Sequence, residues 1–477
     1  MLFKTFSLGS SSVLLSLAVS SGASLTSEQT GWLSKANRFE RAGWIYLHIE
    51  GEARPRGFQH GYLLAKEIED GVKVTAAGWE HDSTMEWQWL VKRAAEMFVP
   101  KLDAENLEEL QGIADGAQAA GVNLSRDEIL TYNAILELGD YWWPTELKKI
   151  KDEPARPEVR EACSSFIATG SWTKDRNVVL GHNTMQSYND VMPSVIEDIV
   201  PAKGHRILWQ TTAGWIHSGT DFFITDAGIV GSETTIGNFE GFSTNGIPEF
   251  ARMRRATQDA ATLDEWTAIM KHENNGGYAN AWLLGDANTK EIARLELGLK
   301  YFGYEKKKDG YFIGSNIAEN RKILKLETER NDTDIRSSSV ARRLRWKQLM
   351  KENEGKIDLA SAKRFEADHY DMYRNRNRAS GRTLCGHFDL DGDASGQGQR
   401  VPFHCSGTVD AKVVDATMAK QMAFEARFGS ACGMRFSGTQ FLTRHPQFDW
   451  MEGFLKDRPS QPWATFKAGE NQSVARK

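Results

Sequence analysis

From residue 163 to about residue 307 the sequence breaks into short runs of β-branched and aromatic residues, and no other feature constrains the fold as much. The runs are CSSFIATGSWT, NVVLGHNT, HRILWQTTA, GTDFFITDAGIVGSETTI and NAWLLGDANTKEIARLELGLKYFGYEKK, each stopped by Gly, Asn or Asp. Runs of this kind suit antiparallel hairpins. Two helical stretches accompany them, at about 248–272 and about 335–368. Ahead of the strands, from residue 25 to about 160, the pattern is mostly helical: GFQHGYLLAKEIEDGVKVT, TMEWQWLVKRAAEMFVPKL and AENLEELQGIADGAQAAGV place apolar residues three and four apart. SRDEILTYNAILELGDYWW adds a helix with Ser125 as N-cap and Glu128 as its capping-box partner. Helices, strands, helices and strands in this order predict an α+β fold of layered sheets covered by helices.

The two textures meet at LKKIKDEPARPEVREA, which is charged, holds two prolines and has no apolar period. It reads as an exposed linker ending at Ala162. The expected organisation is a signal peptide over 1–23, a helical segment over 24–162 and a strand-rich part over 163–477, the last two forming one folded unit. Lys4, the apolar run 13–19 and the small residues Ser21 and Ala23 carry the signal-peptide reading. That run is far short of the roughly 20 residues that span a bilayer. No later stretch is long enough to span one, so the mature protein is expected outside the cytosol, in the medium, a lysosome-type lumen or a periplasm, without a transmembrane anchor. Sequons at Asn123, Asn331 and Asn471 would carry glycans in a eukaryotic secretory pathway.

A hydrophobic content of 40 % with 15 tryptophans in 477 residues describes a folded globular chain. A net charge of −5 gives no general attraction to nucleic acid, and no nucleic-acid partner is expected. GxSxG, HExxH and P-loop motifs are absent from the sequence. Asp389, Asp391, Asp393 and Ser395 are spaced like calcium ligands, but Ala394 and Arg400 stand where an EF-hand needs Gly and Glu, so a solvated acidic loop is expected. Cys385, His387, His404 and Cys405 could offer zinc two thiolates and two imidazoles. Adjacent His404 and Cys405 would point apart on a strand, and the cysteines have a disulfide alternative, so neither metal nor cofactor is expected.

Cys163 stands at the head of a strand just after the linker. It could be a buried core cysteine, the thiol of a Cys-His enzyme, or the first residue of a new chain after cleavage between Ala162 and Cys163. In the last case its own α-amine, with a pKa near about 8, is the base that activates the thiol. Position favours this reading, because the change of texture falls on that bond. If the thiol has this task, at most one disulfide can form among Cys385, Cys405 and Cys432.

CSSFIATGSWTKDRNVVLGHNTMQSYNDVM, WIHSGTDFFITDAGIVGSETTIGN, NNGGYANAWLLGD and HCSGTVDAKVV together resemble the phospholipase B-like proteins, secreted or lysosomal N-terminal-nucleophile hydrolases. RPRGFQHGYLLAKEI, and the pair of ADH at 367–369 with TLCGH at 383–387, resemble the related acyl-coenzyme A:6-aminopenicillanic acid acyltransferases. The resemblance implies an αββα four-layer sandwich. It implies Cys163 as nucleophile, His182 as a group that orients the thiol or shuttles a proton, and Asn280 as the amide donor to the oxyanion. Asn183, Thr235 and Asn238 are implied as substrate-binding or supporting residues. Two positions depart from the pattern: Met185 follows His-Asn-Thr where the relatives have tryptophan or aspartate, and Gly386 stands in TLCGH where the acyltransferases tend to have arginine. The expected reaction is acyl transfer through a thioester. Its substrate is an acyl lipid met in transient contact with a membrane surface, or alternatively an N-acyl amide or small peptide. A non-catalytic lipid- or glycan-binding protein is a further alternative, with Trp142, Trp143, Trp172, Trp209 and Trp215 lining a groove.

Overall fold

The computed structural model describes residues 24–151, 163–189, 194–219, 222–329, 332–393 and 401–471. Residues 1–23, Ala162, Asn331 and Ser395 lie outside them, and with them the signal peptide and most of the linker. The strands are β1 (Asn37–Arg41), β2 (Trp44–Gly51), β3 (Ser164–Thr169), β4 (Val179–Ser187), β5 (Val195–Pro201), β6 (Ile207–Thr211), β7 (Phe222–Thr225), β8 (Ile229–Thr235) and β9 (Asn280–Asp286). They continue with β10 (Ile292–Leu297), β11 (Phe302–Lys307), β12 (Gly310–Gly314), the small hairpin β13 (Tyr370–Asp371) and β14 (Arg376–Asn377), β15 (Ser406–Asp415), β16 (Ala423–Phe428) and β17 (Ala464–Lys467). Among the described residues, one sheet has nine strands in the order β1-β2-β5-β6-β7-β8-β9-β10-β11, and a second has six in the order β12-β3-β4-β15-β16-β17.

The α-helices are α1 (Ser27–Leu33), α2 (Ala53–Leu63), α3 (Ala65–Ser83), α4 (Trp87–Phe98), α5 (Ala104–Ala119), α6 (Arg126–Asn133), α7 (Ile135–Glu137), α8 (Trp143–Lys151), α9 (Glu249–Asp259) and α10 (Leu263–Lys271). After them come α11 (Arg321–Leu326), α12 (Ser338–Glu352), α13 (Leu359–Glu366), α14 (Ala416–Lys420) and α15 (Gly438–Arg444). The capping box of Ser125 and Glu128 opens α6 as the sequence predicts.

Three apolar interfaces stack these elements into four layers. Leu47, Ile49, Trp209 and Trp282 on one face of the nine-stranded sheet pack against Leu64, Leu90, Ile113 and Trp266 of the helices that cover it. The other face, with Tyr46, Leu208, Ile224 and Leu283, meets Ile167, Leu180, Val414 and Phe424 of the six-stranded sheet. The outer face of that second sheet, through Phe166, Val179 and Val413, meets Trp346, Met350 and Phe365 of α12 and α13. The result is the αββα sandwich. Because most strands are covered on both faces, their sequences read as continuous apolar runs without alternation.

One expectation needs correction. The described part of the segment 24–162, residues 24–151, is mostly helical but not throughout, because NRFERAGWIYLHIEG forms β1 and β2. Arg41 pairs with Trp44 across a two-residue turn in which Ala42 and Gly43 have φ of 50° and 84°. This is the left-handed pair that a tight hairpin requires. An Ala-Gly turn is a weaker sequence signal than Asn-Gly, and the apolar run of β2 has no period to tell helix from strand. β2 then pairs in parallel with β5, so residues on both sides of the linker share one sheet.

The tryptophans proposed for a groove are packing residues. Trp209 is fully buried. Trp142 and Trp143 pack with Trp89, Trp172 packs on Tyr311, and Trp215 stacks on His217.

Candidate active site

The head of β3 is seated by one face of α12. Arg342 and Trp346 lie four residues apart, which puts both on the same side of the helix. Arg342 Nη1 donates to the Cys163 carbonyl at 2.7 Å, and Trp346 Nε1 donates to Ser164 Oγ at 2.8 Å. Arg342 is itself buried, with Nε on Ser338 Oγ at 3.1 Å and Nη2 on Asn316 Oδ1 at 2.7 Å. Asn316 follows β12 and donates through Nδ2 to the Thr235 carbonyl at 2.8 Å. Thr235, the last residue of β8, pairs directly with Asn280, the first of β9. A short relay of hydrogen bonds therefore fixes the Cys163 carbonyl relative to the strand ends that carry Thr235 and Asn280.

Asn280 is the most unusual member. It is fully buried, and both its Nδ2 and its Oδ1 lack a hydrogen-bond partner among the described residues. Leaving a buried donor or acceptor unmade costs about 1–3 kcal/mol, so a group that brings hydrogen bonds to this amide would be held there. Beside it, Tyr278 donates to Glu233 Oε1 at 2.6 Å and accepts from Thr235 Oγ1 at 2.9 Å.

His182 lies on β4, opposite Ser165 of β3. The side chains of Ser165 and Ile167 point between the sheets, Ser165 meeting Ser232 of β8 at 2.7 Å. His182 also points there, with Nε2 3.0 Å from the Glu233 carbonyl. Burial, with the Lys412 ammonium second, holds its imidazole well below the usual histidine range. The ring is therefore neutral, Nε2–H donates to the Glu233 carbonyl, and Nδ1 is left as a buried acceptor without a partner among the described residues. A ring held neutral can accept a hydrogen bond, but it is a poor carrier of a proton.

Behind His182 lies a buried polar cluster. Lys412 Nζ contacts Asp410 Oδ1 at 2.5 Å, Thr184 Oγ1 at 2.6 Å and Gln210 Oε1 at 2.7 Å, and Gln210 Nε2 donates to Asp410 Oδ2 at 2.9 Å. Thr184 is on β4 with His182, and Lys412 pairs directly with His182 across β15. The sequence carries a trace of this: Asp410 and Lys412 sit at alternate positions within the run VDAKVV, flanked by apolar residues. Arg342 and Asn316 leave no such trace, because one is among several arginines of a helix and the other follows a strand end.

The remaining predicted residues take supporting places. Asn183 faces the opposite side of β4 from His182 and donates to the carbonyls of Glu366 at 2.7 Å and Leu384 at 3.0 Å. It is a strut joining the end of α13 to the TLCGH loop. Asn238 adopts φ of 55° in the turn after β8 and receives the Glu329 N–H at 3.2 Å. The two departures from the family pattern meet each other: a Cβ on Gly386 would stand 2.7 Å from Met185 Sδ. A side chain at 386 would need a different residue at 185.

In the described part of the acidic loop the carboxylates are not simply solvated, since Arg374 and Arg382 pair with Asp391 and Asp393. The zinc set read from the sequence does not assemble either. His404 bonds Ser406 Oγ at 2.8 Å, and Cys405 packs among Val409, Phe441 and Phe448. No cysteine is in a disulfide. No described helix is long and apolar enough to cross a membrane.

The sequence model of the Phospholipase B family matches residues 37–298, a span that holds β3, β4, β8 and the start of β9. The chain belongs to the phospholipase B family. Among curated relatives, a protein of Archaeoglobus fulgidus is 26 % identical over 266 residues, covering 52 % of this chain and 42 % of the relative. Phospholipase B-like 2 of Bos taurus is 29 % identical over 142 residues, 26 % of this chain and 24 % of the relative. The match thus spans less than half the length of these relatives. Among solved structures, a conjugated bile acid hydrolase from Clostridium perfringens overlaps 66 % of this chain and 92 % of its own, with TM-score 0.26 and 11 % identity. A penicillin V acylase from Agrobacterium tumefaciens overlaps 56 % of this chain and 83 % of its own, with TM-score 0.28 and 11 % identity. Scores this low carry no argument about chemistry.

Proposed function

We propose that this family member is a cysteine hydrolase that matures by cleavage between Ala162 and Cys163 and then uses Cys163 as nucleophile, with its new α-amine as base. The observation that carries the reading is the buried, unpartnered amide of Asn280, tied through Thr235, Asn316 and Arg342 to the carbonyl of Cys163. An amide kept without a partner is a donor held for a group that arrives during reaction.

In the intact chain Cys163 is 2 % exposed and has φ of 78°. A non-glycine residue in that region stores about 1–3 kcal/mol of strain, and cleavage of the preceding peptide releases it. The same cleavage frees the α-amine. The thiol then attacks an acyl carbonyl while the amine takes its proton. Asn280 Nδ2 and a backbone N–H hold the oxyanion, and collapse to the thioester expels the leaving group with the proton returned by the ammonium. Water, deprotonated by the amine, releases the acid. His182 acts as a positioning residue, neutral and anchored on Glu233, rather than as a proton shuttle.

Family membership favours acyl esters of lipids as substrates, met at a membrane surface in a secretory or lysosome-type lumen. The buried tryptophans remove the support for a binding protein without catalysis.

Intact-mass and N-terminal analysis of the secreted protein tests the proposal. Two pieces are expected, the second beginning at Cys163, and incubation with a glycerophospholipid should add an acyl group to that residue. Cys163→Ala should remain one chain; a variant that still splits at this bond would sink the reading. Acylation by an N-acyl amide and not by the lipid would keep the mechanism and replace the substrate.

A further inference from the structure

Away from Cys163, on the helix-covered side of the six-stranded sheet, four side chains converge from three separate segments. His369 follows α13, Cys385 and His387 belong to the TLCGH loop, and Cys432 lies in the connection after β16. One ligating atom from each lies within 4.8 Å of all the others. We propose that His369, Cys385, His387 and Cys432 form a structural zinc site that clamps the β16 end of the sheet to the outer helical layer.

The geometry is close to what a tetrahedral ion needs. Bond lengths of about 2.3 Å to sulfur and about 2.0–2.1 Å to nitrogen put a sulfur and a nitrogen ligand about 3.5 Å apart. His387 Nε2 is 3.4 Å from both Cys385 Sγ and Cys432 Sγ. Two thiolates with two imidazoles are a donor set that selects zinc over hard cations. The Nε2 atom of His369 is buried, and the His369 side chain interacts with Cys432. Around the ligands, the frame is already fixed. Cys385 N–H donates to the Asp368 carbonyl at 3.1 Å, His387 N–H to the Ser380 carbonyl at 3.0 Å, and Asn183 anchors Glu366 and Leu384. Asp389 Oδ1 stands 4.0 Å from His387 Nδ1, on the side where a carboxylate orients a ligating ring. Four protein ligands leave no open position for water or substrate, so the site is structural rather than catalytic. Gly386 belongs to the same arrangement: with no side chain to strike Met185, it lets the loop bring Cys385 and His387 to one side.

The inference does not rest on Cys163 being a nucleophile. Metal analysis of the full-length purified protein is expected to find about one zinc per chain. That zinc should be retained in Cys163→Ala and lost in Cys432→Ser and His369→Ala. Chelation should lower the thermal midpoint by about 5 °C or more, and zinc should restore it. Should the variants fail to fold, cobalt added to the chelated wild-type protein decides. Visible bands of tetrahedral intensity together with thiolate charge transfer are the expected result. A Cys385–Cys432 disulfide in non-reducing peptide maps would overturn the proposal. So would zinc retained in both variants, or reduced wild-type protein that gives no tetrahedral cobalt spectrum.

Discussion

The crossing of α2 with α5 and the strand ends around Asn280 are both buried, yet they are built on opposite terms. At the crossing, backbone lies against backbone. Gly57 and Gly61 on α2 face Gly112 and Gly116 on α5, and a Cβ on Gly61 would overlap the Ile113 carbonyl oxygen. Charge there is paired as well: Arg56 Nη2 meets Glu109 Oε2 at 2.7 Å, and Arg254 meets the same oxygen at 3.2 Å. At the crossing Arg56 Nε and Arg254 Nε and Nη1 also lack partners among the described residues, but each guanidinium still meets a carboxylate, whereas around Asn280 both polar atoms of the amide and His182 Nδ1 lack partners. The first region is built for close contact, and the second leaves a whole side-chain amide unmatched. Buried glycines thus mark packing in one place, and in the other the buried amide is the group proposed for the oxyanion.

Replacing the reserved amide should separate the two most sharply. Asn280→Ala is expected to slow turnover, and the appearance of the two pieces, by about 100- to 1000-fold. Its thermal midpoint should be unchanged or raised, since a buried unmade donor is removed. A large loss of stability would place Asn280 among the packing residues.

Gly61→Ala should do the reverse. The new methyl meets backbone that cannot move aside, so a loss of about 3 kcal/mol is expected in urea unfolding, with specific activity per folded molecule kept. Unchanged stability would mean that the helices can slide apart, and the contrast would fail.

Glu137 gives a pH-dependent test. Its carboxyl accepts the N–H groups of Glu249 and Phe250 at the start of α9, and burial pushes it up to about 7 from 4.5. Between those values the folded state holds a proton that the unfolded chain releases, so stability falls as pH rises through that window, by about 3 kcal/mol at most. Glu137→Gln should flatten the curve of thermal midpoint against pH; a curve as steep as the wild type's would show that other groups set it. Smallest of all, Ser125→Ala should cost about 1 kcal/mol through the lost cap of α6, with no change in the rate at which the two pieces appear.

Much of this was legible in the sequence. Strands β3, β4, β6 and β7 to β11 stand where β-branched runs are cut by Gly, Asn and Asp, and Ser125 with Glu128 marks the start of α6. Strands β1 and β2 were hidden, because a run buried on both faces has no period and Ala-Gly is a weak turn signal. Of the proposed site, Cys163, His182 and Asn280 could be named from their motifs. Arg342 and Asn316 could not, since each acts only through partners far along the chain, the Cys163 carbonyl for one and the Thr235 carbonyl for the other.

By itself the sequence determined many of the strands and helices, the position of Cys163 at a change of texture, and membership of a family. Those are local or motif properties, set by side-chain type and spacing. Only the tertiary structure decided that Asn183 is a strut while Asn280 is left unpartnered, and that Cys385 and His387 meet His369 and Cys432 instead of His404 and Cys405. Partner choice between residues distant in the chain depends on strand register and on the direction each side chain takes, and neither is written in spacing along one chain.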